Sequence, residues 1–122
     1  MAKVLVVDDE PDILLILQVN LEAAGFEVVV AGDGQEALDR IRDDRPDVVV
    51  LDVMMPVLDG WEVLQALQPQ ADAPPVIVLS AKFGDQERAH AYGLGAVDYL
   101  NKPFDPVVLL ASIRRVLAPA AS

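Results

Sequence analysis

Five polar residues with complementary chemistry follow short apolar runs of the sequence. They are Asp8 and Asp9 after residues 4–7, Asp52 after residues 48–51, Ser80 after residues 76–79, and Lys102 just past residues 97–100. Carboxylates without nearby Cys or His ligands suit Mg²⁺. An ammonium offers a positive charge to a phosphoryl oxygen, and a hydroxyl offers a directional hydrogen bond. If they converge, these groups predict a phosphoryl-transfer site in which a carboxylate is the nucleophile.

The elements that must bring these residues together are short strands alternating with helices. The first four apolar runs are continuous, which is typical of parallel strands covered on both faces. The predicted strands are Val4–Val7, Val28–Ala31, Val48–Leu51, Val76–Leu79 and a weaker one at Val97–Leu100. The predicted helices are Asp12–Ala24, a segment from Asp33 to before Arg45, then Gly60–Leu67, Asp85–Tyr92 and Asp105–Leu117. This alternation predicts an α/β fold, a doubly wound five-stranded parallel sheet with five helices, whose ligands bind at the carboxyl ends of the strands.

Length and composition limit the classes of protein that remain. The chain has 122 residues, of which 53% are hydrophobic, enough for one domain with a core. We expect this domain to cover residues 1–118 and residues 119–122 to form a frayed tail. The net charge of −11 argues against direct nucleic-acid binding, and no apolar run is long enough for membrane insertion. The absence of cysteine is compatible with a cytoplasmic location, which we expect.

Four blocks of the sequence resemble the receiver domain of two-component response regulators. In order, they are VLVVDDEPD, VVVLDVMMPVLDG, VIVLSA and DYLNKPF, and the resemblance covers essentially the whole chain. It implies a flavodoxin-like strand order of 2-1-3-4-5. It also implies that the chain accepts a phosphoryl group from a sensor histidine kinase or a phosphotransfer protein. The signal would pass to a downstream protein target or an output domain, without turnover of external substrates.

The resemblance also assigns the phospho-acceptor and the metal ligands. Asp52 would take the phosphoryl group. Asp9 would ligate Mg²⁺ directly and Asp8 would help through water. An oxygen of Asp52 and the backbone carbonyl of Met54 would complete the protein's share of the coordination. Mg²⁺ is the only cofactor that the resemblance implies.

The remaining roles concern the response to the phosphoryl group. Lys102 would pair with that group, and its bond to Pro103 is expected to be cis. Ser80 would swing to donate a hydrogen bond to a phosphoryl oxygen, and Tyr99 would turn inward when Ser80 moves. The family tunes hydrolysis at two positions, which are Met54 and Lys82 here. Because Met54 is apolar and cannot position a water molecule, we predict slow self-dephosphorylation.

The surface formed by the fourth helix, fifth strand and fifth helix is the expected readout. The fifth helix carries more apolar residues than one core-facing stripe requires. Part of it could dock a partner or a second copy, forming a homodimer through this surface, or it could be a wide core stripe. His90, the only histidine, is predicted to be an exposed polar residue without a partner.

Two other functions compete with a phosphorylated switch. A Mg²⁺-dependent hydrolase of the haloacid-dehalogenase kind would place a second Asp two residues after the nucleophile, where this chain has Met54. The second alternative is a receiver-like docking protein that no longer takes phosphate. Uptake of phosphate in the presence of Mg²⁺ distinguishes the three, because a docking protein takes none, a hydrolase turns over and a receiver is labelled once.

Overall fold

Five strands alternate with five helices along the chain, as the sequence predicts. The computed structural model describes residues 2–53, 59–81 and 84–118. The strands are β1 (Lys3–Val7), β2 (Glu27–Ala31), β3 (Val48–Asp52), β4 (Val76–Ser80) and β5 (Asp98–Asn101). The helices are α1 (Pro11–Ala23), α2 (Gly34–Asp44), α3 (Gly60–Leu67), α4 (Asp85–Gly93) and α5 (Pro106–Leu117). Within the described ranges, no helix has the length and apolar character that crossing a membrane requires.

The strands form one parallel sheet in the order β2-β1-β3-β4-β5, which confirms the expected order. Val7 at the end of β1 pairs with Leu51, and Asp52 at the end of β3 pairs with Leu79. The carboxyl ends of the three central strands therefore lie side by side. The strand order reverses between β1 and β3, which is where ligands bind in open α/β sheets.

Helices cover both faces of the sheet, which explains the continuous apolar runs. Successive residues of a strand point to opposite faces, so that Val4 and Val6 pack with α1 and α5, whereas Leu5 and Val7 pack with α2, α3 and α4. All five residues of β3 are buried, as are all five of β4. A strand covered on both faces needs apolar side chains at nearly every position.

Helix starts depend on local polar contacts. Pro11 occupies the first turn of α1, one residue before the predicted start at Asp12, while Glu10 is the N-cap without a side-chain hydrogen bond. The Asp33 carboxylate accepts a 2.8 Å hydrogen bond from the Glu36 N–H and thereby caps the start of α2. Helix α2 ends before Arg45, as predicted.

The fifth strand begins at Asp98 instead of Val97, whose side chain is 44% exposed and adds nothing to the core.

Candidate functional site

Three of the predicted site residues are buried at the carboxyl edge of the sheet. Asp8 follows β1 and is fully buried, while Asp52 is the last residue of β3 and is 3% exposed. Ser80 ends β4 and is also fully buried. Because a buried carboxylate is stable only with a compensating partner, two such groups at one edge require a positive charge nearby.

Lys102 provides that charge. Its Nζ donates a 2.7 Å hydrogen bond to Asp8 Oδ2 and lies 3.2 Å from Asp52 Oδ2. The Lys102 N–H donates a 2.8 Å hydrogen bond to the carbonyl oxygen of Ser80, which fixes the lysine beside β4. The Lys102–Pro103 peptide bond is cis, which confirms that expectation. The ends of β1 and β3 thus meet around one ammonium, and the backbone of the same lysine is bonded to the end of β4.

The electrostatics of Lys102 are set by burial and by two acids. Burial acts to lower the pKa of the ammonium, because it removes water from the charged form. The hydrogen bond to Asp8 and the negative charges of Asp52 and Asp8 act in the opposite direction and prevail. The pKa of Lys102 is therefore raised above its ordinary value, and the side chain is a permanent cation at physiological pH.

An acidic cluster adjoins this ammonium. One carboxylate oxygen from each of Asp8, Asp9 and Glu10 lies within 4.8 Å of the others, with Asp8 buried and the other two exposed. The Glu10 N–H donates a 3.0 Å hydrogen bond to Asp8 Oδ1, which fixes the carboxylate at the start of the cluster. A set of oxygen donors open to solvent on one side fits Mg²⁺, which keeps several of its waters. Glu10 was not predicted as a ligand, although its position next to Asp9 was the available signal.

The segment after Asp52 returns to the sheet through a close backbone approach. A Cβ atom on Gly60 would lie 2.5 Å from the Val53 Cα and 2.7 Å from the Asp52 carbonyl oxygen, so only glycine fits there. Asp59 begins α3 with a capping box, in which its carboxylate accepts from the Glu62 N–H and Glu62 reaches back. Met54 and Lys82, which carry predictions about the metal and about dephosphorylation, lie outside the described residues.

The predicted switch residue Tyr99 is buried, with 2% of its surface exposed. It lies in β5 opposite Val78 of β4, two residues before Ser80. Arg88 of α4 contacts its ring, with the guanidinium carbon 5.4 Å from the ring centroid. The ring therefore lies inside the domain, beneath an exposed cation.

Asp98, the residue before Tyr99, is a buried acid that the sequence did not single out. Its carboxylate accepts hydrogen bonds from the Ser112 hydroxyl, the Arg115 guanidinium and the Tyr92 hydroxyl, and from the Tyr99 N–H. Burial acts to raise the pKa of Asp98, but these donors and the charge of Arg115 outweigh burial and lower it. One carboxylate therefore connects α4, β5 and α5.

His90 has a partner, contrary to expectation. Its ring packs edge-on against Trp61 of α3, with ring centroids 4.5 Å apart. His90 is otherwise exposed, and Trp61 packs partly against the core, as a residue with a packing role would. The contact joins α3 to α4. The expectation failed because two residues 29 positions apart meet only in the tertiary fold.

A known family matches this arrangement of strand-end acids, hydroxyl and lysine. The model of the response regulator receiver domain matches residues 4–114. The chain belongs to this family. Phosphoryl acceptance is the general function of receiver domains, which are parts of signalling proteins.

Known receiver-containing proteins are similar along most of this chain. The alkaline phosphatase synthesis transcriptional regulatory protein PhoP of Bacillus subtilis is 44% identical over 94% of the chain and 48% of its own length. The transcriptional regulatory protein PrrA of Mycobacterium tuberculosis is 46% identical over 94% of the chain and 49% of its own length. The chain therefore spans about half the length of these curated relatives.

Solved receiver domains have the same fold. The chemotaxis protein CheY4 of Vibrio cholerae superposes with a TM-score of 0.90 and 39% identity, covering 96% of this chain and 99% of the other. The receiver domain of a Francisella response regulator gives a TM-score of 0.92 and 38% identity, covering 96% and 97%. At these identities the likeness extends from fold to family, and it agrees with the strand-end arrangement of acids and lysine described above.

Proposed function

We propose that Asp52 is the phospho-acceptor of this receiver domain and that Lys102, Ser80 and the acids after β1 form its phosphoryl site. The observation that carries the proposal is the position of Lys102, whose ammonium contacts the buried carboxylates of both Asp8 and Asp52. A phosphoryl group on Asp52 would lie within reach of the same cation.

In the proposed reaction, an oxygen of Asp52 attacks the phosphorus of a phosphohistidine on a kinase or phosphotransfer protein. The new O–P bond forms as the N–P bond breaks, and the electron pair of that bond returns to the histidine ring. Asp52 is suited to this role because its carboxylate lies at the edge of the sheet, 3.2 Å from the Lys102 ammonium. The Lys102 ammonium stabilises the charge on the transferred group, a contribution typical of phosphoryl transfer. The chain catalyses only its own labelling, and we propose no turnover of external substrates.

Mg²⁺ is the cofactor that the donor set fits. Asp9 and an oxygen of Asp52 would bind it directly, Asp8 would act through water, and the carbonyl of Met54 would complete the protein's share. When bound, the ion supplies positive charge that neutralises the phosphoryl oxygens. The exposed carboxylate of Glu10 adds a further acid to this side of the site.

The response would begin at Ser80 and Tyr99. A phosphoryl group adds roughly −1.5 to −2 charges and three acceptor oxygens. Ser80 would donate a hydrogen bond to one oxygen, and the segment after β4 would follow it. Tyr99, whose ring already lies inside the domain, would be held on the inner side of β5. Two states of the surface formed by α4, β5 and α5 would then differ in population.

That surface would contact the next protein in the pathway. Val107 and Val108 on α5 are 73% and 49% exposed, so part of the apolar surplus of this helix lies outside the core. We propose that they contact a downstream target, an output domain or a second copy in a homodimer. The net charge of −11 supports a protein partner over direct binding of nucleic acid. We place the phosphoryl transfer from the histidine kinase in the cytoplasm. We propose no membrane insertion of this chain.

The test is phosphoryl uptake from acetyl phosphate, followed by intact mass, with and without Mg²⁺. Asp52→Ala tests the acceptor. Asp72→Asn is the matched control, because Asp72 is an exposed acid that precedes β4 and so lies before the opposite end of that strand from Ser80. We expect one phosphoryl group on the wild type and on the control, only when Mg²⁺ is present, and none on Asp52→Ala.

Other outcomes would point elsewhere. Labelling of Asp52→Ala would assign another acceptor, and continuous release of phosphate would favour a hydrolase. A folded wild type that binds no Mg²⁺ and takes no label would leave a docking protein as the better description. If Mg²⁺ binds without labelling, a phosphorylated histidine kinase replaces acetyl phosphate as the donor, and failure with that donor would refute the proposal.

A further inference from the structure

Arg88 of α4 makes two contacts with Tyr99 of β5. Its guanidinium carbon lies 5.4 Å from the centroid of the Tyr99 ring, within the range of a cation–π interaction. Its Nη1 also donates a 3.5 Å hydrogen bond to the Tyr99 carbonyl oxygen. Arg88 is itself exposed, whereas the Tyr99 ring is 2% exposed. The arginine thus lies on the solvent side of a ring that is inside the domain.

A second contact one helical turn later fixes the same face of α4 on β5. The Tyr92 hydroxyl donates a 3.3 Å hydrogen bond to Asp98 Oδ1. Arg88 and Tyr92 are four residues apart and so share one side of the helix. They contact consecutive residues of β5, Tyr92 through the Asp98 carboxylate and Arg88 through the Tyr99 ring. Tyr92 contacts the Asp98 carboxylate, which also accepts hydrogen bonds from Ser112 and Arg115 of α5.

The position of Arg88 along the chain links this contact to the phosphoryl site. Ser80 ends β4, and α4 begins at Asp85, three residues before Arg88. A movement of Ser80 must therefore be accommodated by the short segment before α4 or by α4 itself. Because Arg88 attaches α4 to Tyr99, loss of this contact would release the helix and the ring together.

We propose that Arg88 is a positioning residue that holds the Tyr99 ring inside the domain and thereby favours the arrangement of Ser80 that accepts a phosphoryl group. This role rests on the proposed function, because it acts on the same site. The ring-inside state is the one that a phosphoryl group would select. A residue that favours this state lowers the cost of the change and strengthens binding of a phosphoryl group or its mimic.

The first test measures access of solvent to the Tyr99 ring. The chain has two tyrosines, so the NMR signals of ¹³C-labelled rings can be assigned with a Tyr92→Phe variant. Photochemical polarisation by a dissolved flavin marks only rings that solvent reaches. In the wild type, Tyr92 should respond and Tyr99 should not, since they are 42% and 2% exposed.

Two substitutions distinguish the charge of Arg88 from its bulk. Arg88→Met keeps a long side chain without charge, and we expect this variant to expose the Tyr99 ring to the flavin. Arg88→Lys retains a cation and should keep the ring largely hidden. Arg114→Met is the matched control, because Arg114 is exposed on α5 and makes no hydrogen bond or ion pair within the described residues.

The second test is a titration with beryllofluoride, a phosphoryl mimic, in the presence of Mg²⁺. The cation–π contact is of the exposed kind, so Arg88→Met should weaken binding by about 2- to 5-fold. Arg88→Lys should recover at least half of the loss on a logarithmic scale, and Arg114→Met should bind as the wild type does. Unfolding by heat, followed by circular dichroism, verifies that all variants are folded.

The outcomes separate this proposal from the one it rests on. A Tyr99 ring that stays hidden in Arg88→Met overturns the positioning role. Exposure of the ring without any loss of beryllofluoride affinity overturns the proposed effect of Arg88 on the phosphoryl site. A wild type that does not bind beryllofluoride overturns the proposed function, and with it the effect of Arg88 on the phosphoryl site. The flavin measurement still decides whether Arg88 holds the Tyr99 ring inside the domain.

Discussion

Lys102 donates a hydrogen bond of 2.7 Å to Asp8, a residue 94 positions earlier in the sequence. The same ammonium lies 3.2 Å from Asp52. Two carboxylates at one buried edge repel each other unless a cation lies between or beside them. Lys102 and a divalent cation therefore both supply positive charge to these two carboxylates. Each should compensate in part for loss of the other in stabilising the fold.

We expect Lys102→Met to make stability depend strongly on Mg²⁺. Loss of the ammonium leaves two buried carboxylates without their shared partner, so the free energy of unfolding should fall by about 3 kcal/mol. Saturating Mg²⁺ should restore more stability to the variant than it adds to the wild type. Urea denaturation in EDTA and in Mg²⁺ measures both differences.

Lys3→Met is the control for this experiment. Lys3 pairs with Glu27 at 3.6 Å at the opposite end of β1, and both side chains are partly exposed. Its loss should change stability by less than about 1 kcal/mol, with the same Mg²⁺ response as the wild type. An equal Mg²⁺ response in Lys102→Met and Lys3→Met would show that lysine and metal act independently.

Asp9→Asn should weaken Mg²⁺ binding without unfolding the domain. The Asp9 carboxylate is exposed and lies beside Asp8 and Glu10, so its loss removes a ligand while leaving the core intact. We expect affinity to fall roughly tenfold or more, equivalent to about 1.4 kcal/mol per factor of ten. Isothermal titration calorimetry measures the affinity, with Asp72→Asn as the charge-matched control. Unchanged affinity in Asp9→Asn would remove this residue from the predicted ligands.

Much of the fold was predictable because each strand of the sheet centre is covered on both faces. The continuous run Val48–Leu51 corresponds to β3, and Val76–Leu79 corresponds to β4, each extended by one polar residue. Hydrophobic periodicity contains no information on pairing, so the strand order depended on the resemblance. The start of β5 was misplaced because Val97 has the side chain of a strand residue but precedes the strand and is 44% exposed.

The centre of the candidate site was predictable for a different reason. Asp8, Asp52 and Lys102 follow apolar runs, and the topology of parallel sheets places such residues at one edge. Asp98 gave no such signal, because its partners Ser112 and Arg115 lie on a helix that only the tertiary fold brings near. The Trp61–His90 contact was missed for the same reason. Local patterns thus predict residues at strand ends better than contacts between helices.

Gly60→Ala should damage the segment that follows Asp52. The added methyl group would lie 2.5 Å from the Val53 Cα and 2.7 Å from the Asp52 carbonyl oxygen, and backbone atoms must move to admit it. We expect a loss of about 1–3 kcal/mol in the free energy of unfolding. Phosphoryl uptake should also slow, because the displaced backbone carries the acceptor.

A second glycine provides the comparison for this variant. Gly93 ends α4, and a Cβ atom there would meet nothing within 4 Å. Gly93→Ala should therefore be neutral or slightly stabilising, with normal uptake of phosphoryl groups. Urea denaturation and acetyl phosphate labelling measure both variants. Equal stability of the two would mean that the backbone near Val53 yields without cost.

The carboxylate of Asp98 should make stability depend on pH in the acid range. Hydrogen bonds from Ser112, Tyr99 and Tyr92 and the charge of Arg115 outweigh burial, so its pKa in the folded protein lies below the ordinary value of 3.8. A depressed pKa means that the unfolded chain binds the proton more readily. The stability contributed by Asp98 is therefore present above about pH 3.8 and is lost as pH falls through the folded pKa.

Asp98→Asn isolates this contribution. At pH 7 the variant should lose about 2 kcal/mol in the free energy of unfolding, since hydrogen bonds to a charged group are weakened and the amide adds a donor where donors already point. The difference from the wild type should shrink as pH falls below about 4, because the unfolded wild-type chain then binds a proton at Asp98 that the folded protein binds less readily. Urea denaturation across this range gives the difference at each pH. Asp72→Asn, which removes an exposed acid of the same charge, is the control for the loss of one negative charge and should differ from the wild type by only a small amount. A difference for Asp98→Asn that stays constant down to pH 3 would mean that the charge of Asp98 contributes nothing and that only its shape and packing hold α4, β5 and α5 together.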